Sequence, residues 1–155
     1  MSEDLSEIIG KHIVYKYGEL GVYEAYFQSD QLFVYSIHGG PMKGRSNYQK
    51  AYYQKIREHI YNVSWIEETG TIVTITVDLE LKKVHCFIAF SQGHWEKNEE
   101  EHGDKRNPAD LERWRALAKI GDHTTRVIHL DVAPIIDIYD GPGELKPVTM
   151  DMPFF

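Results

Sequence analysis

The sequence predicts a mainly β protein: one domain of short antiparallel strands arranged as a sandwich or an up-and-down barrel. Three observations predict it. The 155 residues suit one domain and leave little room for a second. Through the first ninety residues, short runs rich in β-branched and aromatic side chains follow one another at the spacing of a sandwich or barrel. Hydrophobic residues make up 42% of the chain, enough for a core, and the aromatic share is concentrated in ten tyrosines. A buried tyrosine combines a large apolar body with a hydroxyl that needs a partner, so this bias suits a pocket lined by both surface types. Strand propensity favours tyrosine as well.

The elements follow in order. Residues 1–9 read as an N-terminal extension. Strand-like runs are His12–Tyr17, Val22–Gln28, Leu32–His38, Ala51–Ile56, Ile60–Glu67, Thr71–Leu79 and Lys83–Phe90. Turn signals separate them at Gly18 to Gly21, Ser29-Asp30, Gly39-Gly40-Pro41 and Thr69-Gly70. Residues 91–107 are polar, and the run Glu99-Glu100-Glu101 reads as a solvated loop. Asn107-Pro108 looks like an N-cap followed by proline at the first helical position. A helix over Ala109–Ile120 then carries Leu111, Trp114, Leu117 and Ala118 on one stripe, closed by Gly121. Two late strands, Arg126–Leu130 and Ile135–Tyr139, precede an irregular tail over 141–155. The expected result is a closed antiparallel barrel completed by the late strands, with the helix outside or against one end.

Charge and cysteine content narrow the function. Net charge is −7, from 17 basic and 24 acidic residues, which disfavours nucleic acid as a partner. No window approaches the roughly 20 apolar residues needed to span a bilayer. The acidic start, Met1-Ser2-Glu3-Asp4, lacks the layout of a signal peptide. Cys86 is the single cysteine, in the apolar run Val84 to Phe90, so it reads as a buried inert thiol in a reducing, cytoplasmic setting.

Phosphate-cradling loops, nucleophile elbows and histidine metal motifs are missing, and the eight histidines are scattered. Four polar positions remain. Tyr61, Val63, Trp65 and Glu67 fall on one face of a strand, so a carboxylate continues an apolar row. Glu67 either ends that strand in solvent or sits on the wall of an apolar cavity, where desolvation would make it a proton donor near neutral pH. Tyr15 and Tyr17, two apart, project to one side and suit a two-point grip on a carboxylate. Arg45, after Gly39-Gly40-Pro41-Met42-Lys43-Gly44, is either an exposed loop arginine or one folded back over a pocket mouth.

These residues together resemble the phenolic acid decarboxylase family. Three segments carry the resemblance. The first is Ile9-Gly10-Lys11-His12-Ile13-Val14-Tyr15-Lys16-Tyr17 with Tyr23-Glu24-x-Tyr26. The second is Tyr35-Ser36-Ile37-His38-Gly39-Gly40 with Gly44-Arg45. The third is Tyr61-Asn62-Val63-Ser64-Trp65-Ile66-Glu67-Glu68-Thr69-Gly70-Thr71. It covers about Ile9 to Phe90, with a weaker echo at Val84-His85 and in the late helix and strands.

The resemblance implies a lipocalin-like barrel, usually dimeric, that holds its substrate inside. It also implies non-oxidative loss of carbon dioxide from para-hydroxycinnamic acids such as coumaric, caffeic and ferulic acids, without metal or organic cofactor. The working residues it implies are Glu67 as acid, Arg45 orienting Glu67 or pairing with substrate charge, and Tyr15 and Tyr17 holding one polar end. Tyr23, Tyr35 and Trp65, within the matching segments, and His85, in the weaker echo, are the expected substrate contacts. Gly21 and Ser46 stand where the family would have tryptophans, and Ser36 where it would have an arginine. Those losses are expected to enlarge or reshape the pocket mouth. The competing reading is a lipocalin-like binding protein without catalysis, and a barrel isomerase using the same acid is a third. Retention of all four polar positions favours the decarboxylase.

Overall fold

The computed structural model describes residues 3–154, so Met1 and Ser2 of the extension and Phe155 of the tail lie outside the described residues. Ten strands form one sheet. In chain order they are β1 (Lys11–Lys16), β2 (Val22–Tyr26), β3 (Leu32–Ile37), β4 (Arg45–Lys50), β5 (Tyr52–Arg57), β6 (Ile60–Ile66), β7 (Ile72–Asp78), β8 (Lys83–Phe90), β9 (Gly103–Asp104) and β10 (Val127–Asp140). Their hydrogen-bonded order is β5-β6-β7-β8-β10-β1-β2-β3-β4-β9, antiparallel except for the β4–β9 pair.

That order is linear, and no ladder joins β5 to β9 among the described residues. The expected closed barrel is therefore corrected to an open sheet. The sheet still curls until the inner faces of its halves meet: the Phe33 ring on β3 lies 4.5 Å from the Trp65 ring on β6. Alternate residues along β8 show the cause. Val84, Cys86, Ile88 and Phe90 are buried, while Lys83, His85 and Phe87 are exposed.

The two expected late strands are one continuous β10. Residues Val127 to Pro134 pair with β8, and from Ile135 the strand pairs with β1. Pro134, which has no N–H to donate, sits where the strand changes partner. Strand β4 was not expected, because Arg-Ser-Asn-Tyr-Gln-Lys carries no apolar alternation. Its alternation is polar: Arg45, Asn47 and Gln49 are all buried on one face.

The stretch after β8 is not a solvated loop. It holds helix α1 (Gln92–Glu96), a 3-10 turn over Asn98–Glu101 and β9, and Glu101 is completely buried. Helix α2 (Pro108–Leu117) begins as expected, with the Asn107 side chain accepting from the Ala109 N–H at 3.0 Å. It buries Leu111, Trp114 and Leu117. The N-terminal extension is also partly core, since Ile8 is fully buried. Leu145, Val148 and Phe154 of the irregular tail pack on Leu32, Val34 and Tyr48 as a second, smaller core.

Candidate active site

A narrow cavity opens inside the curled sheet. Tyr15, Tyr17 and Tyr23 line it from β1 and β2, Tyr35 and Phe33 from β3, Trp65 from β6, Val73 and Ile75 from β7, and Ile88 and Phe90 from β8. Arg45, Glu67 and His94 supply its charged or titratable groups besides the tyrosines. Seven of the eight sequence-predicted site residues therefore meet here. His85 does not: on β8 it alternates with the inward Val84 and Cys86, so its side chain is on the outer face.

Tyr15 and Tyr17 are both buried, with their rings edge to face at 5.4 Å, and Tyr17 lies 5.1 Å from Tyr23. Burial pushes the phenols of Tyr15, Tyr17 and Tyr23 above their ordinary range. They stay neutral at physiological pH and act as uncharged hydrogen-bond groups at this end of the cavity.

Glu67 opens the tight turn between β6 and β7. The Glu67 N–H donates to the Thr71 carbonyl and the Gly70 N–H returns to the Glu67 carbonyl, each at 2.8 Å. Gly70 adopts φ of 85°, which a residue with a Cβ rarely takes. Both turn carboxylates point inward: Glu67 is 6% and Glu68 4% exposed. The Glu67 oxygens are both held, Oε1 by Arg45 Nη2 at 2.9 Å and Oε2 by the Trp65 indole N–H at 3.1 Å. Burial, and then the neighbouring Glu68 charge, push the Glu67 carboxyl up, with Arg45 opposing them; the net direction is upward.

Arg45 is the hub. Nη2 also donates to Glu68 Oε1 at 2.5 Å, and Nη1 donates to Glu101 Oε2. Its guanidinium lies 4.0 Å from the centre of the Trp114 ring. Glu68 is the best satisfied of the three carboxylates, accepting in addition from Asn47 at 2.8 Å, Gln49 at 3.1 Å and buried Lys105 at 3.1 Å. Burial alone would raise it, but Arg45 and Lys105 hold it down at about 2. Among the described residues Glu101 meets only Arg45 and, farther off, His94 Nε2 at 3.6 Å; burial pushes it up to about 8.

His94 was missed by sequence reasoning. The Thr69 and Thr71 hydroxyls lie 2.8 and 2.7 Å from its Nδ1. Because the Thr71 oxygen already accepts from the Ser91 N–H, its hydroxyl is free to donate to Nδ1. Burial, reinforced by Arg45, pushes the ring far below its ordinary range, so it stays neutral. Among the described residues no group of three or more His, Cys, Asp or Glu side chains is set to hold a metal ion.

The sequence model of the phenolic acid decarboxylase family matches residues 5–135. This chain belongs to the phenolic acid decarboxylase family. A Vibrio cholerae protein described as a probable phenolic acid decarboxylase is 38% identical over 88 residues, 56% of this chain and 51% of that one. The Bacillus subtilis phenolic acid decarboxylase PadC is 36% identical over 87 residues, 56% of this chain and 54% of that one. The chain thus spans about half the length of these curated relatives. A solved Burkholderia vietnamiensis structure, carrying a provisional β-lactamase description, superposes with a TM-score of 0.55. It is 14% identical, covers 86% of this chain and 94% of its own, and shows the shared fold alone.

The family departures lie elsewhere than the sequence suggested. Ser36 and Ser46 face each other across β3 and β4, hydroxyl to hydroxyl at 2.8 Å, and line a separate recess with Asp104 and Arg106. They do not line the tyrosine cavity, so their smaller size does not reshape it. Gly21 has φ of 80°, and a Cβ there would come within 2.7 Å of the Gly39 backbone. Close approach of two loops accounts for the missing side chain. Glu68, Glu101, His94 and Lys105 are the residues that sequence reasoning did not assign to the site. Glu68 looked like a turn residue, and the other three lie in the polar stretch after β8.

Proposed function

We propose that this protein is a decarboxylase of phenolic acids, with para-hydroxycinnamic acids as the substrate class, working without a metal or organic cofactor. The observation that carries this reading is Glu67: a buried carboxyl beside Arg45 on the wall of a tyrosine-lined, largely apolar cavity, displaced towards its proton-bearing form. Membership of the family supports the same chemistry.

In the proposed reaction the Glu67 proton moves to the alkene carbon bearing the substrate carboxylate. The para hydroxyl releases its proton to solvent, and the ring becomes a quinone methide. The bond to the carboxylate then breaks; its electron pair restores the aromatic ring as a phenolate, which takes its proton back from solvent, and carbon dioxide leaves. One proton net is consumed per turnover, so Glu67 must be recharged. Tyr15, Tyr17 and Tyr23 supply uncharged hydrogen bonds to one polar end of the substrate. Tyr35, held by Asn47 at 3.1 Å, and Trp65 complete the walls. Arg45 orients Glu67; both of its terminal nitrogens are committed to protein carboxylates, which disfavours the alternative that it pairs with substrate charge.

The same reading takes the described strands and helices as one domain and the protein as a cytoplasmic homodimer. Among the described residues no helix is long and apolar enough to cross a membrane. Support for the dimer comes from the outer sheet face, where Ile66, Ile72 and Ile128 stand in register beside Phe87 and Leu130, all exposed.

Incubation with a panel of aromatic acids, followed by carbon dioxide release, tests the activity. Glu67→Gln keeps the shape but removes the transferable proton, so turnover falls by about 10²–10⁴-fold with little change in binding. Turnover within a few-fold of the parent removes Glu67 as the acid. Ligand binding without carbon dioxide release across the panel favours the binding-protein reading instead.

A further inference from the structure

The proposed reaction gives His94 no task, although its ring is part of the cavity wall and is buried against Phe90, 5.0 Å from centre to centre. One edge of the ring is spent on the protein. The hydroxyls of Thr69 and Thr71, on the turn that Glu67 opens, lie 2.8 and 2.7 Å from Nδ1. The Thr71 oxygen accepts from the Ser91 N–H, so its hydroxyl donates to Nδ1. Helix α1 holds the backbone behind the ring: the His94 N–H donates to the Ser91 hydroxyl at 3.3 Å, and that hydroxyl donates to the Thr69 carbonyl at 2.6 Å.

A neutral imidazole carries one N–H. With Nδ1 accepting, the hydrogen-bond network assigns that N–H to Nε2. Nε2 has no hydrogen-bond partner among the described residues. Glu101 Oε2, 3.6 Å away, is beyond hydrogen-bonding distance and already accepts from Arg45. A buried N–H left unpaired is costly, so one on a cavity wall points to an acceptor that a ligand brings. Neither threonine lines the cavity, so the ring edge left for a ligand is the one that carries Nε2.

The surrounding charge indicates which acceptor. Lys105 gives the three N–H groups of an ammonium to Glu68, the Tyr48 carbonyl and Gln49 Oε1. Glu68 is ionised, whereas burial keeps Glu101 up at about 8. When Glu67 bears the proton that it is to give, Arg45 and Lys105 therefore exceed Glu68 by one positive charge, which favours an anion beside them. Both terminal nitrogens of Arg45 are committed to protein carboxylates, and His94 offers an N–H next to that charge.

We propose that His94 is a substrate-binding residue: its Nε2–H donates to a carboxylate oxygen of the bound phenolic acid, next to the carbon that Glu67 protonates. Bracing on the same turn as Glu67 keeps the donor and the acid in register. The proposal deepens the decarboxylase reading and rests on it.

The test uses the whole protein with nitrogen-15 histidine, the His94 ring assigned through its own backbone amide. The probes lack the alkene and so are not turned over: para-hydroxyphenylpropanoic acid, phenylpropanoic acid, which lacks the phenol, and para-ethylphenol, which lacks the carboxylate. The His94 proton is expected on Nε2 at neutral pH, and both acids shift the Nε2–H resonance while para-ethylphenol does not. A proton on Nδ1, an Nε2–H that a bound acid leaves unmoved, or an equal shift with para-ethylphenol overturns the proposal. His94→Asn keeps an acceptor for the threonines and loses the Nε2 donor, so the acids bind about 10–100-fold more weakly and para-ethylphenol within a few-fold of the parent. His94→Gln, which keeps a donor near the Nε2 position, recovers part of that loss. Equal weakening of all three probes marks a structural role and overturns the proposal. Should the variants not fold, the resonance of the parent still decides. Acids that move Nε2–H in a protein releasing no carbon dioxide sink the functional reading alone, an active enzyme with an unresponsive Nε2–H sinks this proposal alone, and a protein that binds neither acid sinks both.

Discussion

Glu68→Gln removes the carboxylate that neutralises the interior of the Arg45 cluster while keeping its size. All four groups on Glu68 are donors: Arg45 at 2.5 Å and Asn47 at 2.8 Å on Oε1, Gln49 and Lys105, each at 3.1 Å, on Oε2. The amide NH₂ must replace one oxygen and so faces a donor pair, and Lys105 loses its one carboxylate partner. The magnitude follows from the hold on the carboxyl, from an ordinary 4.5 to about 2. At about 1.4 kcal/mol per pH unit this is about 3 kcal/mol, the low end of the roughly 3–5 kcal/mol for breaking a buried pair. Urea unfolding at pH 7 reads the loss, and the melting temperature falls by roughly 6–12 °C. The folded carboxyl ionises more readily than the unfolded one, so its contribution is complete above pH 4.5 and fades as pH falls towards 2. The stability of the parent therefore drops more steeply than that of the variant across that window. A loss under about 1 kcal/mol at pH 7, or parallel acid profiles, would refute the assignment of Glu68 as the ionised member of the cluster.

Three further outcomes follow from the geometry. Tyr15→Phe weakens substrate binding as well as turnover, by roughly 1–3 kcal/mol if a buried substrate oxygen is left unpaired, as seen by calorimetry alongside rates. Gly93→Ala destabilises by about 1–3 kcal/mol in thermal melts, because a Cβ at Gly93 would stand 2.2 Å from the Leu117 carbonyl oxygen, where α1 crosses the end of α2. Leu130→Asp, on the exposed apolar face, converts a dimer to monomer in sedimentation with little change in monomer fold; unchanged association removes that face as the interface.

Period-two patterning made most of the sheet legible. It placed β6 so well that Tyr61, Val63, Trp65 and Glu67 are all buried on its inner face. It failed at β4 because the rule looks for apolar alternation, and there the inward face is Arg45, Asn47 and Gln49. A polar period of two, Arg-x-Asn-x-Gln, was the available signal, and a strand that buries such a row needs buried partners of opposite charge. The partners are Glu67 and Glu68 in the turn and Glu101 in the acidic run. Closure of the sheet was not legible, since pairing between distant edges is decided by curvature and not by local pattern. His85 was misplaced although its alternation with Val84 and Cys86 predicts an outward side chain.

The division of the site along the chain bears on how it works. The acid and all of the cavity wall but His94 come from the first ninety residues. Trp114, Glu101, His94 and Lys105 come from the segment after β8. Of these, Trp114 lies against the Arg45 guanidinium and Glu101 takes its second terminal nitrogen. Both terminal nitrogens of the buried guanidinium are held by carboxylates, although its Nε–H has no partner among the described residues, and a charged group so enclosed does not move to suit a substrate. The segment after β8 therefore acts mainly on the electrostatics around Arg45 and, His94 apart, leaves the shape of the cavity to the tyrosines, Trp65 and the apolar strand faces. Exchanging residues 91–107 with those of a relative should then alter the pH dependence of turnover more than the choice among phenolic acids, whereas exchanges at Tyr23, Ile37 or Met42 on the cavity wall should do the reverse.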